Sequence, residues 1–253
     1  MKIRKIIVKT NDINYPIIIG WNLISNVGKI INQNFIKFDK CLLLIDENVP
    51  RKNISLIKKS LKNKKVFSCF IKANEKNKNQ KNINMILDIL LNKEFSRADC
   101  LISIGGGITG DIGGFAASVF KRGLKFINIP TTLLAQVDSS IGGKTGINSK
   151  FGKNLIGSFY QPRLVISDIN FLKTLPKREI VCGYGEIFKH SLIQDKKFFH
   201  FLNKNISNIF NLSSPSIELA IFKSCLIKKR IIEKDEKEKN LRKILNFGHT
   251  FAH

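Results

Sequence analysis

Apolar residues fall first in short blocks and later in long, spaced series. Residues 5–8 and 15–19 read as an opening pair of strands, the second closed by Gly20. Residues 41–45 are apolar without interruption and precede Asp46, Glu47 and Asn48; residues 100–104 run straight into Gly105, Gly106 and Gly107; residues 126–129 end at Pro130. Such unbroken runs, bounded by turn residues, suit strands covered on both faces of a parallel sheet. Residues 66–71 make a weaker strand, and residues 82–92 place Ile83, Ile86, Leu87, Ile89, Leu90 and Leu91 at helical spacing. After Asp168 the pattern becomes helix after helix, over 177–193, 197–209, 216–233 and from Leu241 onward. The fold class expected is an α/β, Rossmann-like nucleotide-binding domain over residues 1–168, then an all-α domain over residues 169–253. The last helix breaks off partway, so the helical domain is expected to be incomplete and to leave apolar faces exposed.

Composition narrows the class. With 43% hydrophobic and 25% charged residues in 253, wholesale disorder is excluded. The net charge of +24 has two readings. Clustered Lys and Arg would mark a polyanion partner. Here Lys far outnumbers Arg, Ile and Asn are also abundant, and the charge is spread along the chain; even the densest region, 58–81, is broken by Asn and apolar residues. An A/T-rich genome produces that composition without any partner, so no nucleic-acid partner is expected. Part of the charge still helps collect an anionic substrate. Five widely spaced cysteines (Cys41, Cys69, Cys100, Cys182, Cys225), with no C-x-x-C pair, argue for buried thiols in a reducing, cytoplasmic setting. The basic start is too short and interrupted for a signal peptide, and no uncharged apolar stretch is long enough to span a bilayer, so no membrane partner is expected.

Three constellations carry chemistry. The first is Gly105-Gly106-Gly107-Ile108-Thr109-Gly110-Asp111, directly after a buried strand and opening a helix. Glycines there let backbone N–H groups approach a phosphate at a helix N-terminus. Gly105, Gly107 and Gly110 match G-x-G-x-x-G, a pattern that a tight strand-to-helix turn also explains; the usual acidic residue about 20 positions on is not evident, which leaves Asp46 and Asn48, at the end of an earlier strand, for a ribose. The second runs from Pro130 to Gly146 and on through Gly152-Lys153-Asn154, with Thr131, Thr132, Asp138 and Lys144 among small residues. Gly142-Gly143-Lys144-Thr145 carries the end of a P-loop pattern but lacks its upstream glycine, which excludes it. The third joins Glu186, Lys189 and His190 on one helical face with His249 and His253 at i and i+4. The histidine pair is not the H-E-x-x-H motif, and its spacing fits a metal pair and two structural histidines equally. His190 and His200 read as structural or exposed, and Tyr184 as packing.

Jointly these blocks resemble the 3-dehydroquinate synthases, almost continuously from Gly105 to Glu186 and again over Leu245-Asn246-Phe247-Gly248-His249-Thr250-Phe251-Ala252-His253. The resemblance implies an NAD site from Asp46, Asn48, Glu75, Lys78, Gly106, Gly107, Asp111, Thr131, Thr132, Asp138, Lys144, Lys153, Phe171 and Thr174. It implies zinc, or cobalt, at Glu186 and His249. Contacts to a sugar-phosphate acid substrate would come from Arg122, Asp138, Lys144, Asn154, Lys189, Lys228, Arg242, Asn246 and His253, of which Asp138, Lys144, Lys189 and His253 would be catalytic. Arg122 would reach across a homodimer interface. The family's third zinc ligand and a late lysine fall beyond His253, so the resemblance implies an incomplete zinc site and a chain that is inactive by itself. Another sugar-phosphate cyclase, and a basic binder that has lost catalysis, are the rival readings.

Overall fold

The unbroken apolar runs become the inner strands of a seven-stranded sheet. The structure, a computed structural model, describes residues 3–248. The chain opens with β1 (Arg4–Lys9) and β2 (Asn14–Gly20), an antiparallel hairpin. Then come α1 (Val27–Gln33), β3 (Lys40–Asp46), α2 (Arg51–Ser60), β4 (Lys65–Ile71), α3 (Gln80–Asn92), β5 (Cys100–Gly105), α4 (Gly107–Val119) and β6 (Lys125–Pro130). β7 (Lys144–Ser149) and β8 (Gly152–Phe159) form a separate antiparallel ribbon, and β9 (Leu164–Asp168) returns to the main sheet. Three long helices follow: α5 (Lys177–Gln194), α6 (Lys196–Phe210) and α7 (Ser216–Lys234).

Strand order is β1-β2-β9-β6-β5-β3-β4, parallel everywhere except between β1 and β2. From β3 the chain steps outward to β4, then returns to lay β5 on the other side of β3. The winding therefore reverses between β3 and β5, which opens a crevice at their carboxyl ends, where open α/β sheets take ligands. Val27, Ile30, Ile54 and Ile57 of α1 and α2 cover one face of the sheet; Ile83, Ile86, Ile112 and Ala116 of α3 and α4 cover the other. A third apolar cluster joins Ile17, Ile19 and Val165 of the sheet to Ile187, Phe198, Ile221 and Ile231 of α5, α6 and α7. It runs across the position expected to separate the two halves, so sheet and helices share a core.

Local chemistry accounts for the helix starts. Asn79 caps α3 by accepting the Asn82 N–H (3.1 Å), and Asp195 caps α6 by accepting that of Phe198 (2.8 Å). Four features depart from the sequence expectation. α1, seven residues long, is too short to show a period, and α2 lies in a polar, Lys-rich stretch whose few apolar positions hide it, yet Ile54 and Ile57 are enough to dock α2. β9 is a fully buried strand that the sequence reading passed over. The glycine-rich stretch from Lys144 on, to which the sequence reading assigned no element, is the β7–β8 ribbon. The helix expected from Leu241 is, among the described residues, a short 3₁₀ helix, Leu241–Asn246. There Asp235 accepts the N–H groups of Lys239, Asn240 and Arg242, and this local side-chain bonding competes with a regular helix. Cys182, expected to be buried, is exposed; the other four cysteines are buried. Val181, Phe188 and Leu192 are exposed along the outer side of α5. Among the described residues no helix is long and apolar enough to cross a membrane.

Candidate active site

The crevice between β3 and β5 brings the first constellation together. Asp46 ends β3 and accepts both the backbone and the side-chain N–H of Asn48 (3.0 Å each); burial pushes its carboxyl above the ordinary value. Gly105 ends β5 beside it. A Cβ at Gly105 would lie 3.0 Å from the Asp46 Cβ and 2.4 Å from Thr109 Oγ1, so this close approach requires glycine. Gly106 starts α4 with no side-chain cap, which leaves the first-turn N–H groups, Gly107 included, for a ligand. Thr131 at the end of β6 donates its N–H to the Gly105 carbonyl (2.9 Å), and Thr132 packs over Gly106.

A clamp of side chains joins this crevice to the ribbon. Lys78, 4% exposed, donates to Asp111 Oδ2 on α4 (2.5 Å) and to Asn154 Oδ1 on β8. Asn148 donates to Glu75 Oε2 (2.8 Å), and its Oδ1 accepts the Asn154 N–H (3.0 Å). Lys153 is exposed, 3.8 Å from Glu75. Burial pushes the Asp111 carboxyl up to about 6, although Lys78 pulls the other way. Phe171, expected as a cofactor contact, has its ring in the core (1% exposed), and Thr174 donates to its carbonyl (3.0 Å).

The second centre is built on a π-helical turn, Ala135–Ser139, closed by the Ser140 N–H to the Ala135 carbonyl (3.2 Å). Such turns re-aim side chains at functional sites. Gln136, fully buried, anchors this one to the carbonyls of Pro130 (3.3 Å) and Asp168 (3.0 Å). Asp138 then meets Lys228 of α7, whose ammonium donates to its carboxylate and to its carbonyl (2.7 Å). Burial works against ionisation of Asp138, but Lys228 first, then His190 and Lys189, outweigh it and hold the carboxyl low. The burial of Lys228 lowers its own ammonium, against the pull of Asp138. From α5, Glu186 lies 2.7 Å from Lys189 Nζ and 3.2 Å from His190 Nε2. Burial raises its carboxyl and Asp138 adds to that; the nearness of His190 and Lys189 prevails and keeps it below the usual carboxylate range. Lys189 also donates to the Leu245 carbonyl (2.5 Å).

One ligand atom from each of Asp138, Glu186 and His190 lies within 4.8 Å of the others. The His190 Nε2 is buried without an aligned hydrogen bond. Two carboxylates and an imidazole are a donor set that suits zinc or cobalt, so the residues present fit a divalent ion. His249 and His253 lie outside the described residues.

Beside this cluster lies a cavity of about 540 Å³, walled by Asp111, Asp138, Lys144, Asn154, Lys228 and Arg242. Lys144 pairs with Glu238, which also accepts from Asn246 (3.2 Å). Arg242, 2% exposed, donates to the carbonyls of Gly142 (3.1 Å) and Glu236. Arg122 is not brought to this cavity. It lines a separate basic hollow with Arg97, Lys125 and Arg163. Sequence reasoning missed Glu238, because the run KDEKEK reads as solvated surface. It took His190 as structural, although the i+4 spacing from Glu186 was a usable signal. Tyr184, read as packing, stacks on Phe188 and packs at a tilt against Phe210.

The architecture is that of the sugar-phosphate cyclases. The chain superimposes on 2-deoxy-scyllo-inosose synthase complexed with carbaglucose-6-phosphate, NAD+ and Co2+ with a TM-score of 0.90 and 26% identity, over 99% of this chain and 68% of that one. It superimposes on 2-epi-5-epi-valiolone synthase of Streptomyces hygroscopicus subsp. jinggangensis 5008, with NAD+ and Zn2+ bound, with a TM-score of 0.87 and 25% identity, over 96% of this chain and 68% of that one. Residues 68–182 match the 3-dehydroquinate synthase N-terminal model and residues 183–253 the C-terminal one. The chain is 64% identical over 253 residues to the 3-dehydroquinate synthase of Pelagibacter ubique (strain HTCC1062), covering all of this chain and 69% of that relative. It belongs to the 3-dehydroquinate synthase family.

Proposed function

We propose that this protein converts 3-deoxy-arabino-heptulosonate 7-phosphate to 3-dehydroquinate and phosphate, with NAD in the β3–β5 crevice and a divalent metal held by Glu186 together with His249. The observation that carries this reading is the convergence of Asp138, Glu186, Lys189 and Lys228, from the π turn, α5 and α7, onto one polar cluster beside the cavity. In this reading residues 1–168 supply the nucleotide side and residues 169–253 the metal and substrate side. Asp46 and Asn48 meet a ribose, and the α4 N-terminus with Gly106, Gly107, Thr131 and Thr132 takes the pyrophosphate; Glu75, Lys78, Asp111, Lys153, Phe171 and Thr174 complete that side.

NAD, when bound, supplies a hydride acceptor that later returns the hydride, and a divalent metal, when bound, polarises the substrate hydroxyls. The chain's own residues do the rest. Lys228 and Arg242 are the cations for the substrate carboxylate. Lys144, Asn154 and Asn246, with Arg122 from a second copy in a homodimer and His253, hold the phosphate. Asp138 and Lys189 orient hydroxyls and move protons at the carboxylate and the ammonium. Phosphate departs by β-elimination, the phosphate itself taking the proton from the carbon, and an intramolecular aldol step closes the carbocycle.

One observation favours a second reading, a cyclase for a sugar phosphate that lacks a carboxylate: the Arg242 guanidinium is already committed to two backbone carbonyls. Phosphate release decides between them, assayed on the protein translated from its whole reading frame with NAD and zinc. Release from the heptulosonate phosphate, and none from glucose 6-phosphate or sedoheptulose 7-phosphate, is the expected result. The reverse pattern would sink the first reading.

A further inference from the structure

Behind Glu186 sits a buried polar pair that the reaction outlined above leaves without a role. His190 of α5 and Ser224 of α7 are both fully buried, on helices whose Ile187, Ile227 and Ile231 belong to the apolar core. Their side chains meet across the helix packing, with His190 Nδ1 2.6 Å from Ser224 Oγ. Placing an imidazole and a hydroxyl in an apolar helix interface costs free energy unless every polar atom finds a partner. Nδ1 has one. Nε2 lies 3.2 Å from Glu186 Oε1, near enough for a hydrogen bond that a small turn of the ring would align. Side-chain exposure is graded along the line: 0% at His190 and 10% at Glu186, against 31% at Asp138, which lines the cavity. The ring thus stands behind the carboxylate, away from the cavity.

We propose that His190 is a positioning residue for Glu186: the Ser224 hydroxyl donates to Nδ1, which leaves the proton on Nε2, and Nε2–H fixes the Glu186 carboxylate as a metal ligand. This rests on the reading that Glu186 holds the metal. A ligating carboxylate that is itself hydrogen-bonded keeps its orientation and loses less freedom when the ion arrives. The i, i+4 spacing puts ring and carboxylate on one face of α5, and Ser224 selects the tautomer from the facing helix.

The test is cobalt binding, by competition with a chromophoric chelator, on the whole protein and on Glu186→Gln, His190→Phe, His190→Gln and Ser224→Ala. Melting of the metal-free proteins is followed alongside. His190→Phe is expected to bind cobalt about 10–100-fold more weakly. His190→Gln, which keeps an N–H donor, is expected to recover most of that loss, and its cobalt absorption bands are expected to stay in place because the ligand set is unchanged. Ser224→Ala, the smaller change, is expected to weaken binding in the same direction and to lower metal-free melting modestly, since Nδ1 loses its partner; it serves if His190→Phe does not fold. Undiminished affinity in His190→Phe or Ser224→Ala, with affinity lost in Glu186→Gln, overturns the positioning role alone. Shifted cobalt bands in His190→Gln overturn it in favour of direct ligation by the ring. Undiminished affinity in Glu186→Gln overturns the metal reading and the positioning role with it.

Discussion

Asp111 holds its proton to a higher pH in the folded chain than an unfolded aspartate does, about 6 against 3.8, because burial outweighs the nearby Lys78. Between those values the folded state binds the extra proton. The stability from this group is therefore fully present below the lower value and is lost as pH rises through the upper one. Relative to Asp111→Asn, the wild type should lose on the order of 2 kcal/mol of stability between about pH 4 and pH 7, read from urea melts at each pH; a parallel pH dependence in the two proteins would contradict it. Asp138 makes the opposite case. Its carboxylate stays charged because Lys228 faces it. Lys228→Met should destabilise the chain by about 2 kcal/mol, less than for a fully buried pair since the Asp138 side chain is 31% exposed. Adding Asp138→Asn should recover much of that loss. An additive double variant would mean that the two groups are not coupled.

The β7–β8 ribbon behaves as an element with its own requirements. Its two strands approach so closely that a Cβ at Gly157 would lie 2.1 Å from the Thr145 carbonyl oxygen. Gly157→Ala should therefore push the strands apart, free Asn154 from Lys78 and speed amide exchange over residues 144–159, while β3 and β5 keep their protection. Unchanged exchange in the ribbon would refute this. Three elements that the sequence reading did not give are physically related. The ribbon, the π turn and the 3₁₀ turn at Leu241–Asn246 are held by contacts from elsewhere in the chain: Lys78 on the ribbon, Gln136 bonding to β6 and β9, Arg242 reaching Gly142. Local periodicity records none of these partners. β3, β5 and β6 and the helices α3, α5, α6 and α7, by contrast, bury apolar faces that are written into the chain, and there the expected bounds lie within a residue or two of those observed.

At the scale of the whole molecule, the sequence by itself determined the fold class, the glycine turn after β5 and the nomination of Asp138, Glu186 and Lys189. Hydrophobic period and turn residues are local signals, and the family's motifs lie in contiguous blocks. Only the tertiary structure decided which of the nominated groups meet. It brought Lys228 of α7 onto Asp138 of the π turn, set Glu238 beside Lys144, turned the Arg242 guanidinium onto backbone carbonyls and left Arg122 in a different hollow. It also put His190 and Ser224 behind Glu186. These meetings depend on helix crossing and strand order, that is, on contacts between residues far apart in the chain, which no local pattern encodes.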